Sequence, residues 1–195
     1  LSLIVTRAPF RVSLFGGGTD FENYYRSYPS KILSFAIDKY IYVILKKRDD
    51  NLIYVNYSRK EITNKLSSLK HELVKESLKY FKIYRGVEIS IISDIPSKGS
   101  GLGSSSALTN ALILAISLLQ GKKLTQKEIC KIAINIEIKI LKKPIGIQDQ
   151  YGTAFGGLKI ISMSKKKISI KKVINQKLKR AIEQNSIIYD TRKNR

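Results

Sequence analysis

Apolar and polar positions alternate weakly over residues 2–15, among β-branched side chains, and Pro9 interrupts them; the pattern predicts two short strands. Gly16-Gly17-Gly18 closes the second strand, and Thr19-Asp20 is placed to cap a short helix running through Tyr25. Residues 32–47 read as one long strand, paired with 51–58 across the turn Arg48-Asp49-Asp50-Asn51. Leu69, Leu73, Leu78 and Phe81 recur at near-helical spacing, which predicts an amphipathic helix over 67–84, and 87–92 is an apolar strand. Residues 107–119 are almost wholly apolar and too long for a typical strand, so they predict a buried helix that Gly121 ends. Thr125, with Glu128 three residues on, forms a capping box for a helix that runs to about Leu141 and stops ahead of Pro144. A helical turn around Asp149, strands over 158–163 and 168–173, a helix over 176–184 and a strand over 187–189 complete the order. Without strict βαβ alternation the expected class is α+β. The last helix and strand look like the opening of a second domain, which divides the chain into 1–174 and 175–195.

Composition narrows the class without changing that order. At 195 residues, 43% hydrophobic and 26% charged, the chain can bury a core, and wholesale disorder is excluded. A single cysteine, Cys130, excludes a disulfide framework and a cysteine-based zinc site and fits a reducing, cytoplasmic compartment. No apolar run reaches the roughly 18 residues of a membrane span, and no secretory-type segment opens the sequence. The chain starts at Leu1 and stops at Arg195 after an apolar run, which reads as a fragment at both ends.

The net charge of +21 could attract any polyanion. The lysines, however, are spread along the chain with only short clusters at 165–167 and 171–172, and isoleucine is as frequent as lysine, as an A+T-rich coding sequence would produce. A solvated basic surface accounts for this better than a nucleic-acid footprint, so no specific nucleic acid and no membrane is expected as partner. The oligomeric state is left open.

The most informative stretch is DIPSKGSGLGSSSA, residues 94–107. A buried strand runs into a loop of small residues and a buried helix follows at once. Three glycines within five positions permit positive φ and close approach of a ligand to the main chain. Consecutive N–H groups and a free helix N-terminus then suit an anion, and the serine hydroxyls add donors. Neither common phosphate motif fits: a Walker loop needs Lys where Ser104 stands, and GxGxxG counted from Gly99 would need Gly at 104.

The run PSKGSGLGSSSA resembles the phosphate-binding motif of the GHMP kinases. RAPFRVSLFGGGTD, residues 7–20, is similar to that family's N-terminal signature, and GIQDQYGTAFGGL, residues 146–158, to the segment with its acidic catalytic residue. The resemblance covers essentially the whole chain in the family's order. It implies a GHMP kinase N-terminal domain with a ribosomal-protein-like, left-handed βαβ fold, truncated before most of a ferredoxin-like C-terminal domain. It further implies an ATP-dependent kinase using Mg²⁺, with part of the active-site cleft supplied by the C-terminal domain. Gly17-Gly18 stand where galactokinases carry Glu-His, and the pattern resembles kinases that phosphorylate the anomeric hydroxyl of a heptose 7-phosphate, a sugar phosphate. A fucose- or galactose-type kinase, or a basic nucleic-acid-binding domain of the same fold, are the alternatives.

The resemblance also assigns residues. Pro96, Gly99, Ser100, Gly101, Leu102, Gly103, Ser104, Ser105 and Ser106 would hold ATP. Ser105 and Glu137 would hold Mg²⁺, with Ser106 replacing Ser105 if the motif is anchored on Ala107. Asp149 would take the proton of the sugar hydroxyl, Arg11 would approach the transferring phosphoryl, and Gly17, Gly18, Thr19 and Asp20 would meet the sugar. Each has a plainer alternative: a surface Asp149, a strand-surface Arg11, Asp20 as a helix cap, and Glu137 exposed and paired with Lys131 or Lys142. His71, the only histidine, is expected to be structural or solvated and far from every motif; Cys130 and the tyrosines Tyr24, Tyr25 and Tyr28 are expected in the core or at edges.

Overall fold

The computed structural model describes residues 3–95 and 100–189, so Pro96 and Gly99 of the glycine-rich loop lie outside the described residues. Its frame is the long strand β2, Ser30–Lys47, with Ile41, Val43 and Leu45 buried at every second position. β1, Ile4–Phe15, runs antiparallel along it. The two strands expected on either side of Pro9 are one: the register on β2 jumps from Tyr40 opposite Pro9 to Ala36 opposite Arg11, and this irregularity absorbs the proline without ending the strand.

The other pairings of β2 divide its length. Its first half, residues 30–35, pairs with β6, Leu158–Met163, and its second half, 41–47, with β5, Val87–Ser93. β3, Ile53–Asn56, was expected beside β2; it instead lies parallel to β5 and antiparallel to β4, Lys60–Thr63, a strand the periodicity did not single out. β5 takes the place next to β2 because seven consecutive residue pairs form there. β7, Ile168–Lys172, completes the sheet beside β6.

Helices cover the sheet. α1, Glu22–Ser27, follows the glycine triplet, and its N-cap is Phe21 with no side-chain cap, so Thr19-Asp20 does not cap it. The amphipathic segment is a 3₁₀ turn at Leu66–Ser68 and a shorter helix α2, Glu72–Tyr80. α3, Ser104–Leu119, starts three residues earlier than the apolar run and buries Leu112, Ile113 and Ile116 against the sheet. Each such side chain contributes roughly 1.5–3 kcal/mol when fully withdrawn from water. α4, Gln126–Ile134, has the expected capping box between Thr125 and Glu128, but it passes into a π-helical stretch, Asn135–Ile140, rather than continuing as α-helix. α5, Gln148–Ala154, is the turn expected around Asp149. α6, Gln176–Asn185, buries no residue, and residues 187–189 form no strand. Strands and helices mix as the α+β class requires.

Candidate active site

Arg11 joins the first strand to two other segments. Its backbone N–H donates to the Leu102 carbonyl at 3.0 Å, which ties the glycine-rich loop to β1. Its Nη1 donates to the Gly101 carbonyl at 2.7 Å, and Nε and Nη2 both donate to Asp149 Oδ1, at 2.9 and 2.5 Å. The aliphatic stem rests on glycines: a Cβ at Gly103 would come 3.2 Å from Arg11 Cγ, and one at Gly152 3.1 Å. At 8% exposure Arg11 is not a surface arginine.

Asp149 sits in the first turn of α5 with its side chain 21% exposed, so it is not a bare surface acid. Burial raises its carboxyl above the ordinary aspartate range; Arg11 opposes that rise, and the charges of Asp20 and Glu137 add to it.

Glu137 lies on the π-helical stretch and is wholly buried, which removes the exposed alternative with Lys131 or Lys142. A carboxylate placed there needs partners, and it has them. Ser105 Oγ donates to Oε1, and Oε2 accepts from Ser106 Oγ at 2.7 Å and Gln150 Nε2 at 2.8 Å. Lys143 Nζ stands 3.6 Å from Oε1 and donates to Ser105 Oγ at 2.7 Å. Both serines weighed at the sequence level therefore touch this acid. A π-turn advances the chain by an extra residue, and such turns recur where a side chain must be re-aimed.

Within the loop, Gly101 and Gly103 have φ of 68° and 75°. Gly103 is the N-cap of α3 and supplies no side chain to cap it, and the positive end of the helix dipole there suits an anion. Ser104 and Ser105 open from this helix end onto a cleft of about 720 Å³, lined also by Tyr57, His71, Ile95 and Lys143.

Asp20 is 1% exposed and braces the loop after β1 against the start of α5: Oδ2 accepts from the Gln148 backbone N–H at 3.0 Å, and Oδ1 from Gln148 Nε2 at 3.3 Å and the Gly18 N–H at 3.2 Å. Thr19 Oγ1 donates instead to the Gly16 carbonyl at 2.7 Å. Gly17 and Gly18 are exposed, and a Cβ at Gly18 would meet nothing within 4 Å. Arg11, Asp20, Glu137, Asp149 and the 100–106 loop are thus one connected network.

Several members of that network escaped the sequence reading. Gln148 and Gln150 flank Asp149, and Lys143 precedes it across the loop Pro144-Ile145-Gly146-Ile147; the motif singles out only the acid. Asn110 interrupts the apolar run of α3 and donates to the Gln150 carbonyl and Thr153 Oγ1, both at 2.8 Å; a polar residue in a buried helix was the signal. His71 is not remote from the motifs, since it lines the same cleft as Ser104 and Ser105, and burial lowers its pKa. Tyr25 and Cys130 are in the core, where burial pushes the thiol up to about 12, while Tyr24 and Tyr28 are exposed.

A profile of the GHMP kinases N-terminal domain matches residues 69–157. D-glycero-alpha-D-manno-heptose 7-phosphate kinase of Campylobacter jejuni is 31% identical over 208 residues, covering 98% of this chain and 60% of that protein. Galactokinase of Thermosipho africanus is 34% identical over 158 residues, covering 76% of this chain and 42% of that protein. The crystal structure of a D-glycero-D-manno-heptose 1-phosphate kinase from Bacteroides thetaiotaomicron superposes with a TM-score of 0.80 at 24% identity, over 90% of this chain and 61% of that one, which shows the fold. The chain therefore spans about two fifths to three fifths of the length of these relatives.

Proposed function

We propose that the chain, whose residues 69–157 match the N-terminal domain of the GHMP kinases, is the nucleotide-binding part of an ATP-dependent sugar kinase of that family. The acceptor in this reading is the anomeric hydroxyl of a heptose 7-phosphate. The observation that carries it is the double engagement of Arg11, whose guanidinium holds the Gly101 carbonyl of the glycine-rich loop and the Asp149 carboxylate at once. A phosphate chain seated on the loop and a hydroxyl seated on Asp149 would meet at one cation.

Phosphoryl transfer depends on in-line positioning and charge stabilisation more than on covalent chemistry. The apolar side of the cleft accepts a base, and the N-terminus of α3 accepts the phosphates. Arg11 neutralises charge on the group in transit. Asp149, its carboxyl raised by burial, takes the hydroxyl proton more readily than an ordinary carboxylate would. The open space at Gly17 and Gly18 suits a sugar with a bulky substituent, and buried Asp20 would shape that pocket by fixing the loop. Glu137 and Ser105 offer the hard oxygen donors that Mg²⁺ takes beside nucleotide phosphates, and a metal bound there would supply charge neutralisation to them. Among the described residues no helix is long and apolar enough to cross a membrane. A cytoplasmic location, where ATP is supplied, and a domain limit near residue 174 belong to the same reading.

The test is ADP release by the complete protein over a panel of sugars and sugar phosphates. Turnover with heptose 7-phosphate, reduced about 10²–10⁴-fold in Asp149→Asn, is expected. Equal turnover with unphosphorylated hexoses would replace the heptose assignment by a galactose-type one, which the identity to the Thermosipho africanus galactokinase favours.

A further inference from the structure

Lys159 is fully buried on β6 and has no role in the network above. Its neighbours make it unusual. It pairs across the sheet with Ser34 on β2, and Ser34 pairs with Ser13 on β1, so the three side chains form one cross-strand row on a shared face. The hydroxyls of Ser13 and Ser34 have no hydrogen-bond partner among the described residues. The Lys159 ammonium donates to the Gly152 carbonyl in the last turn of α5, at 2.9 Å. Among the described residues the charges that act on it are those of Arg11 from β1 and Lys172 from β7, both cations; β2 places Ser34 opposite it, and α5 carries Asp149 at its far end.

A cation buried without an acid is costly, and an apolar side chain would fill the same space without that cost. What the charge does here follows from α5. The helix has seven residues, too few to hold its own shape, and its position depends on what grips it. Its last carbonyls lack helical partners, and an ammonium is the group that satisfies them and matches the helix dipole. Gly152, the residue gripped, is also the one on which the Arg11 stem lies.

We propose that Lys159 is a positioning residue for the phosphoryl-transfer site: by clamping the last turn of α5 to the sheet through the Gly152 carbonyl, it sets the contact between Asp149, in the first turn of that helix, and the Arg11 guanidinium. The inference rests on the kinase reading above for its catalytic consequence and on geometry alone for the clamp. Burial brings the ammonium down to about 8, so the clamp weakens as the medium turns alkaline.

The experiment compares the complete wild-type protein with Lys159→Met, which keeps length and loses charge. Steady-state ADP release is followed from neutral to alkaline pH, together with thermal unfolding and the ¹³C titration of the Asp149 carboxyl. A kcat at least about tenfold lower in the variant is expected, with KM for ATP within about threefold and Tm equal or higher. The alkaline decline of wild-type kcat should be missing from the variant. An unchanged kcat overturns the inference, and so does a joint change of kcat and KM with a lower Tm, which marks mere filling of space. If the wild type turns over no acceptor, the kinase reading fails by itself. The clamp is then judged by the carboxyl titration, where an Asp149 curve that Lys159→Met leaves in place overturns it.

Discussion

Asp149 and Lys159 are ionisable groups of opposite sign held at the two ends of one short helix, and burial pushes each toward its neutral form. For Lys159 the sign of the stability effect is fixed. Its ordinary value of 10.5 falls to about 8 in the fold, so the unfolded chain binds the proton more tightly and the native state is penalised below about 8. The penalty corresponds to about 3 kcal/mol and fades as pH rises toward 10.5. Against it stands the hydrogen bond to Gly152, worth about 1 kcal/mol. Lys159→Met should therefore raise the unfolding free energy at neutral pH by about 2 kcal/mol, measured by urea denaturation, and the gain should disappear in strongly alkaline buffer. A variant that destabilises equally at both pH values would mean the ammonium is well solvated in the fold.

At the level of elements, the contact between the loop after β1 and the entry to α5 is the tightest in the site. A Cβ on Gly146 would come 2.0 Å from Asp20 Oδ2, and the glycine backbone is the only one that lets the carboxylate reach the Gln148 N–H. Gly146→Ala should displace Asp20 and lower the Tm by several degrees, with KM for the sugar rising more than kcat falls; a crystal structure of the variant with Asp20 unmoved would refute this. How far such elements were legible differs by the range of the forces that fix them. Local signals held: the Thr125-Glu128 box caps α4, and the apolar run of 107–119 is buried as α3, although its first turn begins at polar Ser104, whose helical start is fixed by the left-handed Gly103 rather than by hydrophobicity. Pairing did not follow from proximity in sequence. β3 has an apolar pattern that suits either neighbour, and the parallel contact with β5 forms only after α2 has brought the chain back. The three motifs pointed to Arg11, Glu137 and Asp149, yet Lys143, Gln148 and Gln150 entered through spatial contact alone. Asp20 illustrates the limit: Thr-Asp before a helix has the form of a cap, and only the fold shows its carboxylate turned to α5.

Among the described residues nearly all buried apolar side chains fall into two clusters, and the site lies along their boundary. The larger joins β1, β2, β3 and β5 to α2 and α3, and includes Phe10, Ile89 and Leu112; the smaller holds Tyr25, Ile32, Ile147, Tyr151 and Ile161 around α5 and β6. The phosphate loop thus leads into a helix of the first cluster, while Asp149 rides on a helix of the second. Polar contacts cross between them: Arg11 to Asp149, Asn110 to Gln150 and Thr153, and Gln150 to Glu137. Strand β2 and helix α4 run through both clusters, whereas α5 is joined to the larger one by these polar bonds, so local opening should concentrate at α5. Hydrogen exchange tests this directly. Amides of α5 should exchange faster than those in the middle of α3, and Arg11→Gln should accelerate α5 by about tenfold or more while leaving β5 unchanged. ATP at about 100 times its Kd should stabilise the fold by about 2.7 kcal/mol. If the nucleotide bridges the two clusters, part of that protection must appear in α5 as well as in α3. Protection confined to α3 would mean that nucleotide binding leaves the helix of Asp149 untouched, and that the sugar must complete the junction.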